Sequence, residues 1–150
     1  MLGATNADLS SGMPEIFCNI AAGQSQTANW AATGPLTINL EGNQDPSTFT
    51  FSSTGITVLR NGIYIIEAFA EFTQGGNDQQ AVLLCERSGV GVGSIRITAI
   101  QWDCSGGFTS IVPANAGQVF TLRLNGAWVS PYYKTVGGRF RILYVGGKGI

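Results

Sequence analysis

Along the chain, short apolar runs alternate with clusters of Gly, Asn, Asp and Pro. Apolar positions do not recur at i, i+3 and i+4 over any helix-length window, so no amphipathic helix is predicted. Brief alternating runs bounded by turn residues predict strands of a sandwich or barrel. They fall at Glu15–Ala21, Leu36–Leu40, Thr48–Ser52, Gly55–Arg60, Ile63–Thr73, Gln80–Arg87, Ser94–Trp102, Phe108–Val112, Gln118–Leu124 and Arg139–Val145. About ten short strands in one domain require two packed sheets, an all-β antiparallel sandwich. Residues 1–14 lack periodicity and read as an N-terminal arm. Residues 15–145 read as the folded domain and 146–150 as a Gly-rich tail.

The strongest local signal is "TVLRNGIYIIEAFAEFTQ", Thr57 to Gln74. Asn-Gly between apolar strands predicts a two-residue type I′ hairpin, because both turn positions need positive φ. That turn would set Leu59 opposite Tyr64 and Val58 opposite Ile65. One face would then carry Leu59, Tyr64, Ile66, Ala68, Ala70 and Phe72, a core. The other would carry Ile56, Val58, Ile63, Ile65 and Phe69, with Glu67 and Glu71 between. That second face is too apolar for water near the turn, so it predicts a cover: a local loop or a neighbouring subunit.

Composition sharpens the choice. Of 150 residues, 44% are apolar and 11% charged, with a net charge of −1. A typical soluble protein has about 25% charged residues. So little charge favours a surface partly covered by another chain. The eight Lys and Arg are scattered and make no basic stripe, which argues against nucleic-acid binding. No run reaches the ~18 apolar residues of a membrane span, and the opening "MLGATNADLSSGMP" lacks the basic lead and apolar run of a signal peptide. Three cysteines, Cys18, Cys85 and Cys104, are not a disulfide framework. They read as small buried thiols, or as one disulfide and one thiol. Asn-x-Ser/Thr is absent, and synthesis in the cytoplasm is the expectation.

The catalytic repertoire is thin. With no histidine, Ser-His-Asp and Cys-His nucleophiles and His-rich zinc sites are excluded. Glu67 and Glu71 share a strand face, but four residues along a strand span ~13 Å, beyond the ~5–9.5 Å of glycosidase pairs. "SGVGVGS" has no Lys-Ser/Thr for a phosphate loop and reads as a mobile strand connection. "EGNQDP" and "GGNDQQ" lack calcium-loop spacing. No enzyme activity, cofactor or metal is expected. Trp30, Trp102 and Trp128 are either sugar-stacking platforms or packing residues. The aromatic loop "GAWVSPYYKTVGG" either touches a partner, through Trp128, Tyr132 and Tyr133, or caps the sandwich.

Three segments carry a family resemblance. "STGITVLRNGIYIIEAFAEF" resembles the signature of the tumour necrosis factor-like jelly rolls, which include the globular heads of the complement first component. "SIVPANAGQVFTLRLNG" is similar to their later segment, and "RFRILYV" to their closing strand. The resemblance spans Glu15 to Val145 and departs from the family at Gly117-Gln118, where Gly-Asp is common. It implies a jelly roll in which the long strand after the Gly-Ile-Tyr turn faces a three-fold axis. Ile63, Ile65 and Phe69 would meet their symmetry mates there, joined by Val119, Thr121, Leu143 and Val145. Tyr64, Ile66, Phe120, Leu122, Phe140 and Ile142 would fill the protomer core. The expectation is a homotrimer.

By analogy and elimination, the expected role is a trimeric decoration or cement protein on a tailed-phage head, made in the host cytoplasm and bound to the major capsid protein. Leu2, Leu9 and Met13 would grip the capsid, because an arm that orders on binding meets its ordering cost only at the assembled site. The alternatives are a receptor- or glycan-binding head of a tail fibre or surface filament, and a secreted binding module.

Overall fold

The computed structural model describes residues 12–26, 34–42, 44–74, 79–99, 103–126 and 133–147. Eleven strands follow one another without a helix among these residues. They are β1 (Glu15–Ile20), β2 (Ser25–Gln26), β3 (Ile38–Gly42), β4 (Phe49–Ser52), β5 (Gly55–Val58) and β6 (Gly62–Gln74). After these come β7 (Gln79–Arg87), β8 (Val90–Ala99), β9 (Asp103–Ala114), β10 (Val119–Gly126) and β11 (Tyr133–Gly146). The first sheet has the order β3-β1-β11-β6-β9, with β2 also paired to β11. The second has the order β4-β5-β10-β7-β8. The observed pairs are antiparallel, and the two sheets form the sandwich expected from the strand pattern and the jelly roll implied by the family resemblance.

The alternation of β6 is obeyed in full. Tyr64, Ile66, Ala68, Ala70 and Phe72 are buried, while Ile63, Ile65, Glu67, Phe69 and Glu71 look outward. Phe120 and Leu122 from β10, with Phe140 and Ile142 from β11, close the core from both sheets. At its centre Tyr64 packs edge-on against Phe49, with ring centroids 6.0 Å apart, and near Tyr144 at 5.1 Å.

The hairpin at Asn61-Gly62 does not form. β5 belongs to the second sheet and β6 to the first, so Leu59–Asn61 crosses between them. Among the described residues the non-glycine with positive φ is Ser88, not Asn61. The corner is pinned by side chains instead. The Tyr64 hydroxyl donates to the Arg60 carbonyl at 2.5 Å, and the Tyr144 hydroxyl donates to the Asn61 carbonyl at 3.1 Å. The Asn61 side-chain oxygen accepts from the Ala116 N–H at 2.8 Å, and the Arg60 guanidinium lies 4.4 Å over the Tyr144 ring. Because β5 lies across the sandwich, Ile56 and Val58 point into the core, and Leu59, expected inside, is exposed.

A two-residue hairpin with two positive φ values occurs at Ser88-Gly89, with φ 46° and 88°. It joins β7 to β8 with Arg87 opposite Val90. The segment expected as a mobile Gly-rich connection is therefore a turn followed by a paired strand with a register shift at Val92. Gly93 is needed in β8 because a Cβ there would come within 2.5 Å of the Phe108 ring, where the edges of the two sheets pack together.

Candidate functional site

The two outward faces differ in kind. On the second sheet the outward positions mix Thr50, Thr57, Thr121, Asn125 and an ion pair, Arg123 Nε to Glu86 at 2.6 Å, with Val82, Leu84 and Val119. Those three apolar side chains are half-buried, and the face is mixed in character. The outward face of the first sheet reads, row by row across its strands, as an apolar end, a charged belt and an aromatic groove.

The apolar end is built by register. Leu143 of β11 lies opposite Ile65 of β6, which lies opposite Ile111 of β9. One row further, Ile63 lies opposite Pro113. Ile111 is 71% exposed and Val145 49%, while Leu143 is already buried within the protomer. β9 is an edge strand, where Pro113 is tolerated because no further strand needs its missing N–H.

The next row runs Phe17, Arg141, Glu67, Thr109. Arg141 holds two carboxylates. Its Nη2 lies 2.5 Å and its Nε 2.6 Å from Glu15 Oε2, and its Nη1 lies 3.3 Å from Glu67 Oε2. The hydrogen bond that this guanidinium donates to Glu15 raises its affinity for its proton above the ordinary value. Beyond it, Arg139 lies opposite Phe69 with its guanidinium 5.4 Å from the ring, and Phe69 lies opposite Gly107. A Cβ at Gly107 would meet the Ala68 carbonyl at 2.5 Å. The bare backbone there helps open a groove of about 800 Å³, walled by Phe17, Phe69 and Arg139 and by the charged trio of Glu15, Glu67 and Arg141.

Ile63, Ile65 and Phe69 thus share one outward face, with Leu143 in the same row as Ile65. Val119 and Thr121 do not. Their strand, β10, is in the second sheet, so they look out on the opposite side of a sandwich whose sheets pack ~10 Å apart. Alternation tells which residues of a strand share a face, but not which sheet the strand joins. Met13 is exposed, whereas Leu2 and Leu9 lie outside the described residues. Trp128 and Tyr132 also lie outside them, as do Trp30 and Trp102, and Tyr133 opens β11 instead of lying in a loop.

Ile111, Phe17 and the Arg141 trio were not anticipated. Phe17 and Glu15 were legible in "EIFCNI", where Ile16, Cys18 and Ile20 point inward and the residues between them outward. The trio joins three strands distant in sequence and had no local signal. Among the described residues no three His, Cys, Asp or Glu side chains gather as a metal site. Cys18, Cys85 and Cys104 are not joined in disulfides, and burial pushes Cys18 up to about 11 and Cys85 up to about 12. Within "EGNQDP", the Asp45 carboxylate is held low by the Ser47 hydroxyl and also accepts from Thr48.

These strand orders define a jelly roll of the tumour necrosis factor-like fold. Its chain path is similar to that of the Eiger TNF of S. frugiperda, with a TM-score of 0.62 and 10% identity over 91% of this chain and 96% of that one. It is likewise similar to murine APRIL, with a TM-score of 0.61 and 10% identity over 87% of this chain and 99% of that one. No protein-family model and no curated protein sequence matches the chain.

Proposed function

We propose that this chain is a non-enzymatic structural protein that works as a homotrimer, assembled through the outward face of its first sheet. The observation that carries this reading is the apolar end of that face, Ile63, Ile65, Ile111 and Val145, with Ile111 and Val145 well exposed, whereas the outward apolar side chains of the second sheet are half-buried among polar ones. Each large apolar side chain buried fully is worth ~1.5–3 kcal/mol. A few per subunit, repeated three times, can offset association costs of ~4–15 kcal/mol. The apolar surface also reaches the edge of the sandwich. Val90 is exposed next to Arg87 in register, and Arg87 Nη1 donates to the Pro113 carbonyl at 2.6 Å. A patch spanning face and edge suits head-to-tail contacts that close a ring.

The assembly we assign to it is a virion, with the trimer decorating a tailed-phage head over capsid subunit junctions. Leu2, Leu9 and Met13 of the arm, with Trp128, Tyr132 and Tyr133, are the residues we assign to the capsid contact. Light scattering at micromolar concentration tests the trimer, and a dominant monomer refutes it. Counting copies against the major capsid protein in purified particles tests the role. Many copies, in proportion to the shell, are expected. A handful per particle would make it a fibre component, and absence from particles would make it a cellular binding module.

A further inference from the structure

The groove on the outward face of the first sheet holds two opposite charges that the protomer does not pair with each other. We infer that it is a binding site for a small zwitterion, a short free peptide with an apolar side chain, whose ammonium meets Glu67 and whose carboxylate meets Arg139.

At about 800 Å³ the groove falls within the ~300–1,000 Å³ of ligand sites, which combine apolar walls with a few convergent polar groups. Its charges are unevenly matched. Glu15 Oε2 accepts from both Nε and Nη2 of Arg141, at 2.6 Å and 2.5 Å. Glu67 has one longer contact, 3.3 Å to Arg141 Nη1, and keeps 43% of its side chain exposed. Two carboxylates against one guanidinium leave the trio one negative charge in excess, at its Glu67 end. Arg139 is exposed and meets no carboxylate among the described residues; its guanidinium rests over the Phe69 ring.

Register sets the spacing of these two charges. Arg141 lies opposite Glu67 and Arg139 opposite Phe69, so Glu67 and Arg139 are diagonal neighbours across β6 and β11. Such positions are ~7–8 Å apart. The end charges of an extended dipeptide are roughly 5–6 Å apart, against about 2.5 Å in a single amino acid, so the dipeptide spans the pair better. A ligand with an anion alone meets Arg139 but is repelled by the excess charge of the trio, and one with a cation alone meets the reverse. Carrying both signs is what the groove favours. An aromatic side chain has a ring to pack on at either end, Phe17 on β1 or Phe69 beside the bare backbone of Gly107. A contact between copies confined to the apolar end leaves the groove open, so the inference stands apart from the assembly reading.

The test adds alanyl-phenylalanine, its N-acetyl form or its C-terminal amide to the full chain at neutral pH and low salt, followed by two-dimensional NMR. The parent dipeptide should bind saturably and shift the Phe69 and Gly107 amides. On wild type, acetylation and amidation should each weaken binding about tenfold, the size of one charge-assisted hydrogen bond. Glu67→Gln should bind the acetylated and parent peptides alike, and Arg139→Gln the amidated and parent peptides alike, because each variant lacks the group that the missing charge would meet. Circular dichroism follows the fold of both variants. No saturable binding to wild type, shifts centred away from the groove, or modified peptides that bind as well as the parent overturn the inference. So does a folded Arg139→Gln that still discriminates against the amide. If a variant fails to fold, the three peptides on wild type decide.

Discussion

Ile65→Asp separates the stability of the protomer from that of the assembly. Ile65 sits in the middle of the apolar row, with Leu143 on one side and Ile111 on the other, and its side chain points away from the core. In the protomer an aspartate there still reaches water, so the unfolding free energy should change by no more than ~1 kcal/mol. In a trimer it becomes an uncompensated charge under a second copy. Each such burial costs roughly 3–5 kcal/mol, or roughly 9–15 kcal/mol over three copies. Every ~1.4 kcal/mol is tenfold in an equilibrium constant, so a micromolar trimer should be lost entirely. The assay is light scattering coupled to gel filtration, with thermal unfolding run in parallel. Leu84→Asp is the control, because Leu84 faces outward on the second sheet opposite Ser94 and Arg123. It should leave the mass unchanged. A folded Ile65→Asp that retains the wild-type mass refutes the assignment of the face, and dissociation by Leu84→Asp moves it to the other sheet.

Four further predictions concern the fold itself. Gly138→Ala should lower stability by about 2–4 kcal/mol, because the new Cβ drives into the Phe69 carbonyl at a backbone φ of 147°; thermal unfolding should drop by roughly 5–15 °C, and an unchanged midpoint would contradict the close strand approach there. Tyr64→Phe keeps the ring in the aromatic cluster but removes the hydrogen bond to the Arg60 carbonyl, so it should cost about 1–2 kcal/mol, read by urea unfolding. The buried thiols Cys18 and Cys85, held at about 11 and about 12, should resist thiol reagents at mildly alkaline pH until the protein unfolds. The same shifts set a sign for stability. Unfolded thiols ionise from the ordinary value of 9.0, while the folded ones stay protonated. Their contribution is complete below that pH and is lost as pH rises toward the folded values. Cys85→Ala should flatten this decline, and a stability that rises through that window would refute it.

What the sequence determined by itself was local and periodic. The alternation from Ile63 to Phe72 told which side chains of β6 look inward, because successive residues of a strand point to opposite faces whatever the strand pairs with. The all-β class and the inward positions of Phe120, Leu122, Phe140 and Ile142 followed in the same way, whereas the two-residue β2 carried no such pattern. The pairing partners did not. Asn61-Gly62 carries the stronger hairpin dipeptide, yet the chain turns back at Ser88-Gly89, because Tyr64 and Tyr144 draw the Arg60–Asn61 carbonyls into a crossing between sheets. Val119 and Thr121 alternate as well as Ile63 and Ile65 do, but pairing with β5 and β7 carries them to the opposite side of the sandwich. Glycines that read as loop in "SGVGVGS" and "KTVGG" lie inside strands, where neighbouring side chains or backbone leave no room for a Cβ at Gly93 or Gly138. The Arg141 trio existed only once β1, β6 and β11 lay side by side, bringing together residues 74 and 126 positions apart in the chain. Periodicity is set by the geometry of a single strand, so it can be read from one segment. Register and sheet membership are set by which distant segments bury their apolar faces together, and only the folded chain makes that choice.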